Sequence, residues 1–155
     1  MKRKSIFTSV ILASVSVLML LVGCTQVDQQ EALKQRALQW DNTLETLKSN
    51  PDSITNQQIE SFLEPSAVRS QRAQEFRESR ATDVSKQVKT TSSVDDVIIS
   101  EDGKHGSVRY SIVEEWTGED TYGVSKGAKR ASTQITQWIL IDGIWYRTSQ
   151  LAEKS

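Results

Sequence analysis

The feature that most constrains this chain is its N-terminal segment, in which three basic residues at 2–4 precede a mostly apolar run that ends at Gly23. Basic residues, an apolar stretch and a small residue in this order are typical of an export signal. The alternative is an uncleaved transmembrane anchor, but residues 6–23 span only 18 positions, near the lower limit for crossing a bilayer. Four hydroxyl residues, Thr8, Ser9, Ser14 and Ser16, weaken that alternative further. The sequence therefore favours export from the cytoplasm.

The residues that close this segment, Leu21, Val22, Gly23 and Cys24, resemble the lipobox of bacterial lipoproteins. In that family the cysteine thiol is joined to a diacylglycerol, the peptide is cleaved before the cysteine, and the new amine is often acylated. The resemblance implies that residues 1–23 are a lipoprotein signal peptide and that Cys24 is the lipid attachment site. Two or more acyl chains hold a protein stably at a bilayer. We therefore expect an extracytoplasmic protein that is lipid-anchored to the cell membrane or the outer membrane.

Cys24 is also the only cysteine, so the chain that follows it can form no internal disulfide and must be stabilised by its core. Residues 24–30 are predicted to be the lipidated cysteine and a short polar tether. Residues 31–155 are predicted to form a single domain, which is long enough to bury a core. Beyond residue 23 the chain has 16 basic and 20 acidic residues, a net charge near −4. This mild acidity argues against nucleic-acid binding, which requires clustered positive charge.

An amphipathic helix is predicted from Asp28 to Asn50, because apolar residues recur there every three or four positions. These residues are Leu33, Ala37, Trp40, Leu44 and Leu47. Asp28 is the candidate N-terminal cap, and the ring of Pro51 ends the helix by disfavouring helical geometry at Asn50. Two further helical segments are predicted, one after Thr55 or Asn56 and one from Pro65 to about Arg80.

From Asp83 onwards the apolar pattern has a period of two and β-branched residues become frequent, which predicts strands. The predicted strands are 84–91, 94–100, 107–116, 130–141 and 144–150. Asp142 and Gly143 form the two-residue signal of a tight hairpin between the last two strands. Helices followed by an antiparallel meander predict an α+β fold.

The closing hairpin, residues 138–146, and the order of elements resemble the NTF2-like (cystatin-like α+β) family over roughly residues 28–151. The resemblance implies that the N-terminal helices pack into the concave face of a curved antiparallel sheet and leave a conical pocket. The family includes enzymes, small-ligand binders, dimerisation modules and subunits of membrane complexes. Its fold therefore does not define a function.

The candidate ligand pocket lies on the face of strand 107–116 that carries Tyr110, Glu114 and Trp116, joined by Trp138 and Trp145 from the closing hairpin. A carboxylate on this otherwise apolar face must be paired, protonated or placed at the rim of a cavity. The alternative is that the tryptophan rings fill the core and that Glu114 makes a structural ion pair.

A candidate contact surface is formed by Arg69, Arg72, Arg77 and Arg80, which fall within about 140° of arc on a helical wheel. We call these four residues the arginine ridge. In a domain held near lipid, such a ridge suits anionic head groups or an acidic partner. The alternative is that the arginine side chains extend around a buried Phe76.

Nothing in the sequence predicts a catalytic residue, a metal site or a cofactor. The single histidine, His105, lies in a turn between Gly103 and Gly106, where we expect it to be exposed. A zinc site needs more ligands than one histidine. The sequence therefore predicts a non-catalytic binding or interaction module of the cell envelope, with an envelope protein or a second copy as partner. The alternatives are a carrier of a small apolar ligand in the helix–sheet pocket, or an enzyme that uses Glu114.

Overall fold

The computed structural model describes residues 6–80, 82, 86–119 and 123–148, with side chains from residue 26 onwards. Its helices are α1 (Ile6–Ser49), a 3-10 turn (Pro51–Ser53), α2 (Asn56–Glu60) and α3 (Arg69–Arg80). Its strands are β1 (Val88–Ile99), β2 (His105–Trp116), β3 (Lys129–Ile141) and β4 (Ile144–Arg147). The strands form one antiparallel sheet in the order β1-β2-β3-β4. The predicted α+β class, with N-terminal helices packed on an antiparallel sheet, is confirmed.

Helix α1 begins at Ile6, so the predicted start at Asp28 is wrong and the predicted tether, residues 24–30, is helical. The reason is that residues 24–49 contain neither glycine nor proline, so nothing interrupts a helix that the apolar segment can already support. The side chain of Gln30 also donates to the carbonyl of Val97, which holds this part of α1 against β1. Within the part of the chain that the structure describes, no helix is long and apolar enough to cross a membrane.

The core forms where the predicted apolar face of α1 meets the sheet. Leu33, Ala37, Trp40, Leu44 and Leu47 are all buried, which confirms that face. Trp40 lies at its centre, because its ring packs against Phe62 at 5.5 Å between centroids and against Phe76 at 5.1 Å. One aromatic residue of α1 thereby joins the segment after α2 to helix α3.

The short helix α2 begins where the sequence predicts, because Thr55 caps it. The Thr55 hydroxyl accepts from the backbone amide of Gln58, and the Gln58 side chain accepts from the amide of Thr55. This reciprocal pair is a capping box. Helix α3 begins at Arg69 and not at Pro65, because the preceding residues form a turn in which the Arg69 amide donates to the Ser66 carbonyl.

Strand β1 is continuous, although the sequence predicts two strands there. A β-bulge between Val94 and Asp96 explains the difference, because one extra residue reverses the alternation of inward and outward side chains. Asp142 and Gly143 both have positive φ, 50° and 79°, as the predicted tight hairpin requires. Residues 84–85 and 149–150 of the predicted strands lie outside the described residues.

Candidate functional site

A cavity of about 110 Å³ lies between α1, α3 and the inner face of the sheet. Each neighbouring element contributes side chains to it. Helix α1 gives Asp41 and α3 gives Arg80, while the strands give Ser92 (β1), Tyr110 (β2), Thr136 (β3) and Arg147 (β4). Trp40, Leu44, Phe76 and Ile112 supply an apolar wall. The site therefore joins polar groups that lie far apart in the sequence.

Asp41 lies on the same side of α1 as Ala37 and Leu44, so its carboxylate faces the sheet. The Ser92 hydroxyl donates a hydrogen bond to it. Burial raises the pKa of Asp41 above its ordinary value, although the Ser92 bond and the charges of Arg80 and Arg147 oppose that shift. Asp41 is not among the site residues predicted from the sequence, although its spacing of four from Ala37 and three from Leu44 places it on the buried face of α1 and could have identified it.

Arg147 brings a guanidinium group into the same cavity, where it lies 5.3 Å from the ring centre of Trp40 and 5.1 Å from that of Phe76. Its backbone is fixed, because its amide donates to Phe62 O and its carbonyl accepts from the Glu64 amide. Burial lowers the pKa of this guanidinium. Its side chain makes no hydrogen bond or ion pair with any residue that the structure describes. This partly buried arginine therefore lines the cavity with N–H groups that bind no other described residue.

Tyr110 is 3% exposed, and its hydroxyl is buried without a hydrogen-bond partner among the described residues. The neighbouring Thr136 hydroxyl accepts from Trp138 Nε1 at 2.8 Å and lies 3.5 Å from the Val108 carbonyl, to which it donates. Burial, reinforced by the Asp41 charge, raises the pKa of Tyr110, although the neighbouring Thr136 hydroxyl and the Arg147 charge oppose that shift, so the hydroxyl keeps its proton. It is a buried donor that lines the cavity close to Thr136 and makes no hydrogen bond of ordinary geometry with a described residue.

The five residues predicted to share a ligand pocket do not come together, because only Tyr110 lines the cavity. Trp116, Trp138 and Trp145 are buried, as the alternative interpretation has it. Glu114 lies on the same face of β2 as Tyr110 but does not line the cavity; its neighbours in the sheet are Arg130 and Thr90, and of these only Thr90 reaches the cavity. Helices α1 and α3 cover the sheet around Tyr110. The same face of β2 therefore carries one residue that lines the cavity, Tyr110, and one that does not, Glu114.

The arginine ridge faces the domain and not the solvent. Its four side chains are only partly exposed and lie on the side of α3 that carries the buried Ala73 and the partly buried Phe76. The Arg77 guanidinium donates to Asn56 Oδ1 at 2.6 Å, to Pro51 O at 2.9 Å and to Ile54 O. Arg69 Nε donates to Glu60 O at 2.7 Å. These donors join α3 to the segment around α2, so an outward basic ridge is not what the helix presents.

A wider groove of about 420 Å³ lies between α1 and the start of β4, and it is lined by Arg36, Arg69 and Tyr146 among others. Arg36 crosses it and donates to the carbonyls of Trp145 and Ser61. The Arg36 guanidinium therefore joins α1 to β4 of the closing hairpin, and its hydrogen-bond acceptors lie within the protein.

His105 is exposed, as predicted, with Nδ1 2.9 Å from Asp102 Oδ2 in the turn between β1 and β2. Hydrogen bonds from Ser100, Lys104 and His105 hold the pKa of the Asp102 carboxyl below its usual range. Among the described residues no three histidine, cysteine or acidic side chains are grouped so that they could hold a metal ion. The side chain of Cys24 lies outside the described side chains, so the lipid anchor stays a prediction.

Comparisons with known proteins return little. No family model matches the chain, and no curated protein matches it. Among solved structures, the chain is similar to a candidate polyketide cyclase from Xanthomonas campestris pv. campestris, with 13% identity and a TM-score of 0.41. That similarity covers 77% of this chain and 94% of the other. At this level it carries no argument about activity.

Proposed function

We propose that this protein is a lipoprotein, held by Cys24 on the extracytoplasmic side of a bacterial membrane, whose domain is a non-catalytic binding module for a small polar ligand. One observation carries the binding role: the Tyr110 hydroxyl is buried in this cavity without a hydrogen-bond partner among the described residues, and the Arg147 guanidinium, which contacts the rings of Trp40 and Phe76, lines the same cavity. Unpaired buried polar groups are rare in folded proteins and need an explanation, because each loses its bonds to water. A ligand that supplies acceptors to both groups removes that penalty.

The nature of the cavity argues against a carrier of an apolar ligand. Pockets for drug-sized ligands measure about 300–1,000 Å³ and are mostly apolar, whereas this cavity measures about 110 Å³ and contains charged groups of both signs. A purely apolar molecule would leave the guanidinium and the hydroxyl unpaired. The proposal therefore names a small ligand with hydrogen-bond acceptors.

The placement of Asp41 supports a second candidate function, acid–base catalysis. A carboxyl with a raised pKa beside a tyrosine is a common arrangement in active sites. A substrate would have to bring its reacting atom within hydrogen-bond reach of the Asp41 oxygens. One variant distinguishes the two functions. If Asp41 is a catalytic acid or base, Asp41→Asn should lower the turnover rate by a factor of about 10² to 10⁴. If the domain only binds, the same variant should still bind the ligand.

The anchor is tested by mass spectrometry of the membrane-extracted protein. We expect the wild-type chain to begin at Cys24 and to carry diacylglycerol on that residue. Cys24→Ser should prevent acylation and leave an uncleaved or released form, while Ser53→Cys, which adds a thiol at an exposed position, should leave processing unchanged. An unmodified mature chain that begins at another residue would contradict the proposal.

A further inference from the structure

We infer that the cavity binds the carboxylate group of a small monoanion, with Arg147 and Tyr110 as the donors that recognise it. This inference rests on the proposed function and names the ligand class that the cavity selects. It depends on three features of the site: the orientation of the guanidinium, the unpaired hydroxyl, and the charges around the cavity.

The guanidinium of Arg147 is arranged for a planar, two-oxygen acceptor. Its carbon lies 5.3 Å from the ring centre of Trp40 and 5.1 Å from that of Phe76, so the group is held by cation–π contacts and not by hydrogen bonds to described residues. Its N–H donors remain available to a ligand in the cavity. Arginine binds carboxylates through two parallel hydrogen bonds, which a neutral amide or alcohol cannot reproduce.

The Tyr110 hydroxyl supplies a further donor. It keeps its proton, is almost fully buried and makes no hydrogen bond of ordinary geometry with a described residue, so an acceptor that enters the cavity gains a hydrogen bond and competes only with the neighbouring Thr136 hydroxyl. A phenol hydrogen bond to a charged oxygen is stronger than one to a neutral oxygen. Tyr110 on β2 and Arg147 on β4 therefore favour the same chemical group from two strands.

The charges around the cavity favour a ligand with a single negative charge. Arg147 and Arg80 line the cavity, and the nearby positive charge of Arg72 contributes to lowering the pKa of Arg147. The opposing acids are Asp41 and Glu45, both on α1. Two arginines and two acids give this lining no net charge, so nothing compensates for the larger cost of desolvating a dianion such as phosphate.

The size of the cavity limits the ligand to a few heavy atoms. A volume of about 110 Å³ equals the share of three to four liquid water molecules at about 30 Å³ each. A carboxylate with two to four carbons fits that volume. Leu44 and Ile112 in the wall provide apolar contacts for the short chain.

Calorimetric titration of the full lipoprotein in detergent micelles tests the inference, with butyrate as probe and butyramide and inorganic phosphate as comparators at equal ionic strength. Titration into empty micelles corrects for partitioning. We expect butyrate to bind at least tenfold more tightly than either comparator. Arg147→Lys, which keeps the charge but loses the planar pair of donors, should weaken butyrate binding by more than tenfold.

Tyr110→Phe is the sharper variant, because it removes only the hydroxyl. We expect it to weaken butyrate binding about tenfold, the effect of one charge-assisted hydrogen bond, while the melting temperature of the ligand-free protein stays the same or rises. Tyr146→Phe is the matched control, since Tyr146 lies outside the cavity, and it should bind butyrate as the wild type does. A purely structural tyrosine would show the reverse: lower stability with unchanged affinity.

The remaining outcomes overturn the inference in distinguishable ways. If butyramide binds as tightly as butyrate, the ligand is not selected by charge, and the proposed binding role stands without the inference. If neither probe nor phosphate binds, the cavity holds only water, and both the inference and the proposed ligand site fail, whereas the lipid anchor is unaffected. Equal affinities for Tyr110→Phe and the wild type would remove Tyr110 from the site and overturn the inference.

Discussion

Asp41 links the chemistry of the cavity to the stability of the fold. Burial raises its pKa in the folded protein above the unfolded value, so the folded state binds this proton more tightly. Its favourable contribution to stability is therefore complete below the unfolded pKa and is lost as the pH rises through the folded pKa. At neutral pH the ionised carboxylate destabilises the protein.

Asp41→Asn should consequently increase the free energy of unfolding at pH 7, since the amide keeps an acceptor for Ser92 and carries no charge to desolvate. The increase should shrink as the pH is lowered to 5 and then to 4. Urea unfolding followed by circular dichroism at the three pH values measures it. Asp28→Asn, an exposed position on the same helix, serves as the control. A gain that is independent of pH would contradict the assigned burial of Asp41.

At the scale of elements, Arg77 determines how α3 is attached. Its three donors bind two carbonyls between α1 and α2 and the side chain of Asn56, the first residue of α2. Hydrogen bonds to charged groups contribute about 1.5–3 kcal/mol each and are not additive, so we expect Arg77→Ala to lower the free energy of unfolding by about 2–3 kcal/mol. Arg72→Ala, on the same face of α3, removes no hydrogen bond that the structure describes, and should change stability by less than about 1 kcal/mol.

Chemical denaturation of the two arginine variants side by side measures this difference. A comparable loss in both would mean that packing of the arginine stems, and not the Arg77 hydrogen bonds, attaches α3. The same geometry bears on any test of the arginine ridge, because reversing the charge at all four positions would also break the Arg69 and Arg77 contacts. Reversal at Arg72 alone is the cleaner test of membrane or partner binding.

Local signals in the sequence predicted the elements that local forces determine. The buried face of α1, the cap at Thr55 and the Asp142-Gly143 turn each depend on residues within a few positions of one another. The bulge near Asp95 was not predictable, because a register shift depends on the partner strand. The sequence does not predict the true start of α1, because the polar composition of residues 25–30 is typical of a tether but also permits a helix.

The candidate site was harder to predict, because it depends on which part of the sheet the helices cover. Glu114 and Tyr110 share one face of β2, and the period of two cannot tell which of them lies under α1 and α3. Arg147 lies two positions after the buried Trp145 in β4, so the period of two predicts that it points inward. The rings that contact its guanidinium, however, belong to residues 40 and 76, which are far away in the sequence. Only tertiary structure brings these groups together.

In the whole molecule, the β1–β2 and β3–β4 turns lie at one end of the sheet, and the connection between β2 and β3 lies at the opposite end. Helix α1 runs antiparallel to β1, since Gln30 bonds to Val97 and Lys48 bonds to Thr90. The turns that join β1 to β2 and β3 to β4 therefore lie towards Gln30 on α1, on the side from which Cys24 precedes it, and Leu140 N donates to Lys104 O between them. Strand β2 has 12 residues, so the loop around residue 125 lies about 40 Å from that end.

This polarity predicts how the anchored domain stands on its membrane. If Cys24 is acylated, a cysteine introduced elsewhere is the only free thiol, so Lys104→Cys and Ser125→Cys can each be labelled with one fluorophore at an exposed position. Since α1 continues from Cys24 without a flexible tether, we expect it to project from the bilayer and place Asp41, 17 residues on, about 25 Å from the lipid attachment point. A lipid-borne quencher should then quench the label at 104 strongly and the label at 125 weakly. Equal quenching at both positions would mean that α1 lies along the bilayer.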